Sequence, residues 1–144
     1  MVSRSKLKEK HLAWWGGKNL RIMVCEDNLV IALDLHQEVA ESGHTPLEIA
    51  TNSIDCLRAT ESDRPDLVLV DINLADGRTG ISLVRQLSDR GIPSIIITGE
   101  SEFIHEPHTA LLVLEKPLRS GELAQALETA RSRVSKADDG STMF

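Results

Sequence analysis

The chain has 144 residues and a formal net charge of −6, which suits a single domain with one hydrophobic core. Residues 1–21 carry six Lys or Arg and one Glu, whereas residues 22–144 carry ten Lys or Arg and 21 acids. This acidic body argues against non-specific nucleic-acid binding, and no apolar run is long enough to span a membrane. Cys25 and Cys56 are predicted to be free thiols of a reducing compartment. We therefore expect a cytoplasmic protein that binds neither nucleic acid nor membrane.

After an N-terminal extension, residues 1–19, the apolar pattern predicts five strands that alternate with helices. In the extension, Trp14 and Trp15 are expected to pack on the body, because an exposed aromatic pair is costly. The strands are predicted at Leu20–Cys25, Pro46–Ile49, Leu67–Asp71, Ser94–Ile97 and Leu111–Leu114. The helices are predicted from Leu29 to about Ser42, from Thr51–Ser53 through Ala59, from Ile81 through Leu87 and from Ser120 through Ala130.

Three local features qualify this pattern. In the first helix, Val30, Leu33, Val39 and Ala40 fall on one face, which we expect to be buried. Ser120 is expected to cap the last helix. A further segment, residues 100–110, contains a proline and leaves room for at most a turn or two of helix.

Alternating strands and helices predict an α/β fold with a parallel sheet, right-handed crossovers and helices on both faces. The second strand contains Pro46 and Glu48 and suits the edge of the sheet. The third and fourth strands are solid apolar runs and suit its interior. The domain is expected to span residues 20–136, followed by a disordered tail, residues 137–144.

Polar side chains follow four of these strands at the point where each strand ends. Because parallel strands end at the same edge of a sheet, we expect these side chains to lie close together. Three neighbouring carboxylates repel one another, and a hard cation such as Mg²⁺ removes the repulsion. A lysine and a threonine beside them suit the oxygens of a phosphoryl group. The residues are Glu26, Asp27, Asp71, Thr98 and Lys116.

These residues carry a resemblance to a known family. Glu26-Asp27 after the first strand, Asp71 at the end of LVLVD, Thr98 after III and the pair Lys116-Pro117 resemble the receiver domain of two-component response regulators. The loop Asp76–Gly80 is similar to the loop that follows the phosphorylated strand in that family. The resemblance covers residues 20–135 and implies a flavodoxin-like, doubly wound five-stranded sheet of order 2-1-3-4-5.

The resemblance also implies roles for individual residues. Asp71 would accept a phosphoryl group from a phosphohistidine on a histidine kinase or a histidine phosphotransfer protein. Mg²⁺ would be held by Glu26, Asp27, Asp71 and the backbone carbonyl of Asn73, whereas Thr98 and Lys116 would contact the phosphoryl group. The Lys116-Pro117 bond would be cis. The chain would then be a signalling phosphoacceptor without a separate substrate. Its output is expected to be phosphorelay or contact with a downstream protein, because residues 137–144 are not expected to fold into a DNA-binding unit.

The expected switch differs from that of the family, because Val113 stands where an aromatic residue is usual. Valine has few rotamers to exchange. We therefore predict that residues 100–110 are mobile when Asp71 is free and become ordered when Thr98 engages the phosphoryl group. These residues, the fifth strand and the last helix would form the partner surface.

Two other functions are alternatives to that of a phosphoacceptor. A receiver that no longer accepts phosphate would serve only as a binding module, but all five site residues are present. An aspartyl-phosphate hydrolase of the haloacid type needs a second Asp two positions after the nucleophile, and residue 73 is Asn. His105 and His108 lack further ligands for a closed metal site and are expected at the surface.

Overall fold

The structure, a computed structural model, describes residues 19–138, with side chains through Val134. The predicted packing of Trp14 and Trp15, like the tail beyond residue 138, lies outside the described residues. The strands are β1 (Arg21–Cys25), β2 (Thr45–Ala50), β3 (Leu67–Val70), β4 (Ser94–Thr98) and β5 (Leu112–Glu115). The helices are α1 (Leu29–Glu41), α2 (Ser53–Ser62), α3 (Gly80–Asp89) and α4 (Glu122–Asp138), with a 3₁₀ turn at Ser101–Phe103.

The five strands form one parallel sheet in the order β2-β1-β3-β4-β5, which confirms the predicted fold. The interior strands β3 and β4 are buried along their whole length, as their unbroken apolar runs predicted. Cys25 pairs with Val70, and Val70 pairs with Ile96, so β1 and β3 end at the same level while β4 continues to Thr98. Residues that directly follow these strands therefore meet at one edge.

Helices cover the two faces of the sheet unequally. Side chains such as Ile22 and Leu69 point to the face covered by α1 and α4, while Met23 and Val68 point to the face covered by α2 and α3. On this second face the chain between β4 and β5 forms only the 3₁₀ turn, as expected for residues 100–110. Ile104, Ala110 and Val113 are partly buried there against the core.

The predicted buried face of α1 is wrong for three of its four residues, whereas Val39 is buried as predicted. Val30 and Leu33 are 72% and 59% exposed, and Ala40 is exposed as well. Two apolar stripes run along this helix, and the sheet accepts only one of them. The stripe that packs on it consists of Ala32, Leu35 and Val39, which are spaced three and four residues apart.

The cap predicted for the last helix is also wrong. The helix α4 begins at Glu122, directly after Gly121, whose φ of 82° is a left-handed conformation that favours glycine. The Glu122 carboxylate accepts a hydrogen bond from the Arg119 N–H at 2.9 Å. This bond stabilises the start of α4 without the Ser120 side chain. At its other end α4 reaches Asp138, two residues beyond the predicted limit of the domain.

Candidate functional site

Asp71 lies at the carboxyl edge of the sheet, directly after the buried strand β3. Its backbone N–H donates to the Cys25 carbonyl at 3.0 Å, which holds Asp71 level with the end of β1. The chain that follows Asp71 is also held in place, because the Gly80 N–H donates to the Ile72 carbonyl at 2.9 Å. The carboxylate is buried but reaches the surface at the centre of this edge.

Lys116 brings a positive charge to this carboxylate. Its ammonium lies 2.8 Å from Asp71 Oδ2 and 2.5 Å from Glu26 Oε1. Its backbone N–H donates to the Thr98 carbonyl at 2.9 Å, and the Lys116-Pro117 bond is cis, as expected. The sheet therefore brings together residues that lie 45 and 90 positions apart in the chain.

Glu26, Asp27 and Asp71 form an acidic cluster whose ligand oxygens all lie within 4.8 Å of one another. Within the described residues it is the one such group of His, Cys, Asp or Glu. Glu26 is buried and also accepts from the Asn28 N–H at 3.2 Å, whereas Asp27 is exposed. Hard carboxylate oxygens in this number fit Mg²⁺.

Charges in the cluster depend on one another. Burial raises the pKa of Glu26, and the hydrogen bond from Lys116 opposes that rise. Burial lowers the pKa of Lys116, but its hydrogen bonds to Asp71 and Glu26 raise it above the ordinary value overall. Lys116 therefore stays positively charged and compensates part of the acidic cluster.

Asn73 and Thr98 stand at the rim of the site. The Asn73 N–H lies 3.4 Å from Asp71 Oδ1, and within the described residues the Asn73 carbonyl accepts no hydrogen bond, which leaves it free as a ligand. Thr98 is fully buried at the end of β4, and its hydroxyl accepts from the Glu100 N–H at 3.1 Å. All the residues predicted for the site thus lie at the same edge, but their roles stay predictions.

Sequence reasoning placed Gly80 in the loop after the third strand but did not predict how closely it approaches the residues that follow that strand. A Cβ at Gly80 would stand 2.5 Å from the Ile72 Cα and would also overlap the Asp71 carbonyl oxygen. Only glycine lets α3 begin this close to the residue that carries the site. The sequence signal was present, since Gly80 precedes the apolar run of α3, but spacing alone does not show a close approach.

Sequence reasoning also missed a clamp between the loop after β3 and the segment after β4. The Arg78 guanidinium donates to Glu106 Oε2 at 2.5 Å and to the Phe103 carbonyl at 2.8 Å. The hydrogen bond from Arg78 lowers the pKa of Glu106 to about 2. Nearby, the Asn73 amide donates to Glu100 at 2.8 Å. Residues 100–106 are therefore tied to the loop that follows Asp71.

Two simpler expectations, on the cysteines and on the histidines, are confirmed. Cys25 and Cys56 are free and buried. His105 and His108 are exposed at the surface. Among the helices of residues 19–138, none is long and apolar enough to cross a membrane.

The geometry agrees with comparisons to known proteins. Residues 22–128 match the family model of the response regulator receiver domain. The chain belongs to the response regulator receiver family. It is 34% identical to the phyllosphere-induced regulator PhyR of Methylorubrum extorquens over 114 residues, which are 76% of this chain and 42% of that protein.

Solved structures of receivers superpose well on the chain. PhyR of Brucella abortus has a TM-score of 0.76 at 31% identity, covering 88% of this chain and 53% of the other. PhyR of Bartonella quintana, described as an anti-anti-sigma factor, has a TM-score of 0.79 at 26% identity, covering 95% and 57%. The chain therefore spans about half the length of these relatives, and the likeness concerns the receiver part.

Proposed function

We propose that this receiver accepts a phosphoryl group on Asp71 from a phosphohistidine of a histidine kinase or a histidine phosphotransfer protein. The observation that carries the proposal is the position of Lys116, whose ammonium lies 2.8 Å from Asp71 Oδ2. The signal then passes to a downstream protein through contacts or through a further phosphorelay step. The description of the Bartonella PhyR as an anti-anti-sigma factor supports a protein as the downstream partner.

The reaction follows from the groups at the site. A carboxylate oxygen of Asp71 attacks the phosphorus, and the phosphorus–nitrogen bond breaks with its electron pair going to the departing imidazole. The Lys116 ammonium pairs with a phosphoryl oxygen, and the Thr98 hydroxyl donates to another. Mg²⁺ held by Glu26, Asp27, Asp71 and the Asn73 carbonyl would neutralise negative charge on the transferred group. Water later hydrolyses the acyl phosphate, so the chain promotes its own phosphorylation and dephosphorylation without a separate substrate.

The outward stripe of α1 supports a protein as the phosphoryl donor. Leu29, Val30 and Leu33 are 58%, 72% and 59% exposed on one face of the helix that begins next to Glu26 and Asp27. Exposed apolar patches of this kind mark interaction surfaces. An adjoining groove of about 460 Å³ runs from α1 toward the site, lined by Ile31, Asp34, Leu35, Glu38, Ile97, Lys116, Pro117 and Leu118.

The alternative is a receiver that binds a partner without accepting phosphate. Incubation with acetyl phosphate and Mg²⁺, followed by intact-mass measurement, separates the two functions. We expect the wild type to gain one base-labile phosphoryl group and Asp71→Asn to gain none. Asp89→Asn on α3 is the matched control, because this carboxylate is exposed and distant from the cluster. Uptake by Asp71→Asn, or none by the wild type, would overturn the proposal.

A second variant tests the donor surface separately. Val30→Glu should slow phosphoryl transfer from a purified histidine kinase while leaving the reaction with acetyl phosphate unchanged, because the small donor does not use α1. Equal effects on both donors would show that the outward face of α1 does not bind the kinase.

A further inference from the structure

A second groove lies between α3 and the segment after β4, on the opposite side of the sheet from the outward stripe of α1. Its volume is about 510 Å³. One wall belongs to α3 and the other to residues 106–109. The lining residues are Arg78, Ile81, Ser82, Arg85, Glu106, Pro107, His108 and Thr109.

The groove exists because the helical layer on this face is incomplete. The chain between β4 and β5 forms only the 3₁₀ turn Ser101–Phe103 before it extends to β5. Space beside α3 that a regular helix would fill is left open, with Ile81 and Pro107 as apolar lining. A groove of this shape beside a helix suits an amphipathic helix from another protein.

One charged side chain of the groove has no partner among the described residues. Arg78 is already paired with Glu106, whereas Arg85 is exposed and makes no hydrogen bond or ion pair within the described residues. The Nδ1 atom of His108 accepts from the Ala110 N–H at 3.2 Å, so its neutral ring carries the proton on Nε2. An unpaired guanidinium and an imidazole N–H that line the same groove match carboxylates.

The Arg78 clamp contacts the second wall. Arg78 binds both the Glu106 carboxylate and the Phe103 carbonyl, so residues 103–106 are held to the loop that opens α3.

We propose that this groove binds an amphipathic helix of a partner protein, whose aliphatic side chains contact Ile81 and Pro107 and whose aspartate or glutamate pairs with Arg85. This interaction goes beyond phosphoryl transfer, because it uses none of the residues at the carboxyl edge of the sheet.

The test is a nuclear magnetic resonance titration of the full chain, without phosphodonor. The probe is a short helical peptide with leucines along one face and glutamates beside them. We expect saturable shift changes confined to α3 and residues 103–109. Arg85→Glu should weaken binding about tenfold, because a charge-assisted hydrogen bond is replaced by repulsion.

Two controls make the result specific. Arg58→Glu changes another exposed helical arginine, on α2, and should leave the affinity within about twofold. The same peptide with lysines in place of glutamates should bind more weakly than the acidic one. The proposal is overturned if shifts fall outside the groove, if no saturation occurs, if Arg85→Glu binds like the wild type, or if the lysine peptide binds as tightly.

Discussion

The Lys116 ammonium lies 2.8 Å from Asp71 Oδ2, although β4 and the whole of α3 separate the two residues in the chain. The same ammonium also pairs with the buried Glu26. One cation thus compensates two carboxylates where parallel strands end. Its removal should affect stability as well as phosphoryl transfer.

Lys116→Met is expected to destabilise the fold when Mg²⁺ is absent, because Glu26 and Asp71 would then face each other without a cation. The loss should be about 2 kcal/mol, less than for a fully buried pair, since the Lys116 side chain is 20% exposed. Urea unfolding in the presence of a chelator measures it. Added Mg²⁺ should recover part of the loss, and a variant as stable as the wild type in chelator would contradict the prediction.

Mg²⁺ affinity should depend on Asp27 more than on Glu26. Asp27 is exposed at the edge of the cluster, whereas a Glu26 oxygen is already paired with Lys116. Calorimetric titration should show that Asp27→Ala weakens Mg²⁺ binding by at least about tenfold. Asp89→Ala serves as the control for general loss of negative charge. Unchanged affinity in Asp27→Ala would remove Asp27 from the ligand set.

Gly80→Ala should disturb the site through its backbone. The new Cβ would overlap the Asp71 carbonyl and lie 2.5 Å from the Ile72 Cα, so the start of α3 must move. We expect a loss of stability of about 1–3 kcal/mol and slower phosphorylation by acetyl phosphate. Gly99→Ala is the matched control, because a Cβ there meets nothing within 4 Å. A Gly80→Ala protein with wild-type stability would show that the turn adapts at no cost.

His44 should make folding stability depend on pH. Burial lowers its pKa, Glu128 opposes the shift and Arg131 adds to it, while Nδ1 accepts from the Leu20 N–H at 3.0 Å. A lowered pKa means that the stabilisation is complete above the unfolded value of about 6.5 and is lost as pH falls through the folded value.

Urea unfolding at pH 7.5 and pH 5.5 measures this dependence. His44→Asn keeps an acceptor for the Leu20 N–H but does not titrate, so the difference between the two pH values should shrink. His105→Asn is the control at an exposed histidine. If His44→Asn shows the full wild-type difference, other groups account for the pH dependence.

The segment 100–110 should respond to phosphorylation by becoming ordered. In the structure it is held by the Arg78 clamp and by the hydrogen bond between Ser101 and Glu115, and Thr98 accepts from the Glu100 N–H. Hydrogen exchange with and without beryllofluoride and Mg²⁺ measures the change. Arg78→Ala should raise exchange of residues 100–106 several-fold, whereas Arg58→Ala should not. High and equal protection in both states of the wild type would exclude switching by ordering.

The apolar runs and the polar residues that follow them were enough to predict the parallel sheet and the edge at which the site lies. Leu67–Val70 and Ile95–Ile97 are unbroken apolar runs, which predicted interior strands of a parallel sheet. Parallel strands share one carboxyl edge, which placed Glu26, Asp71 and Lys116 together without knowledge of any distance.

Only the tertiary structure decided which faces and contacts are used. The two apolar stripes of α1 are compatible with the same periodicity, and packing on the sheet buried Leu35 and left Val30 in solvent. The close approach at Gly80 and the clamp between Arg78 and Glu106 join elements whose relative positions no local pattern specifies. Periodicity fixes the spacing of side chains along an element, but the phase and the partners of that element follow from how the whole core packs.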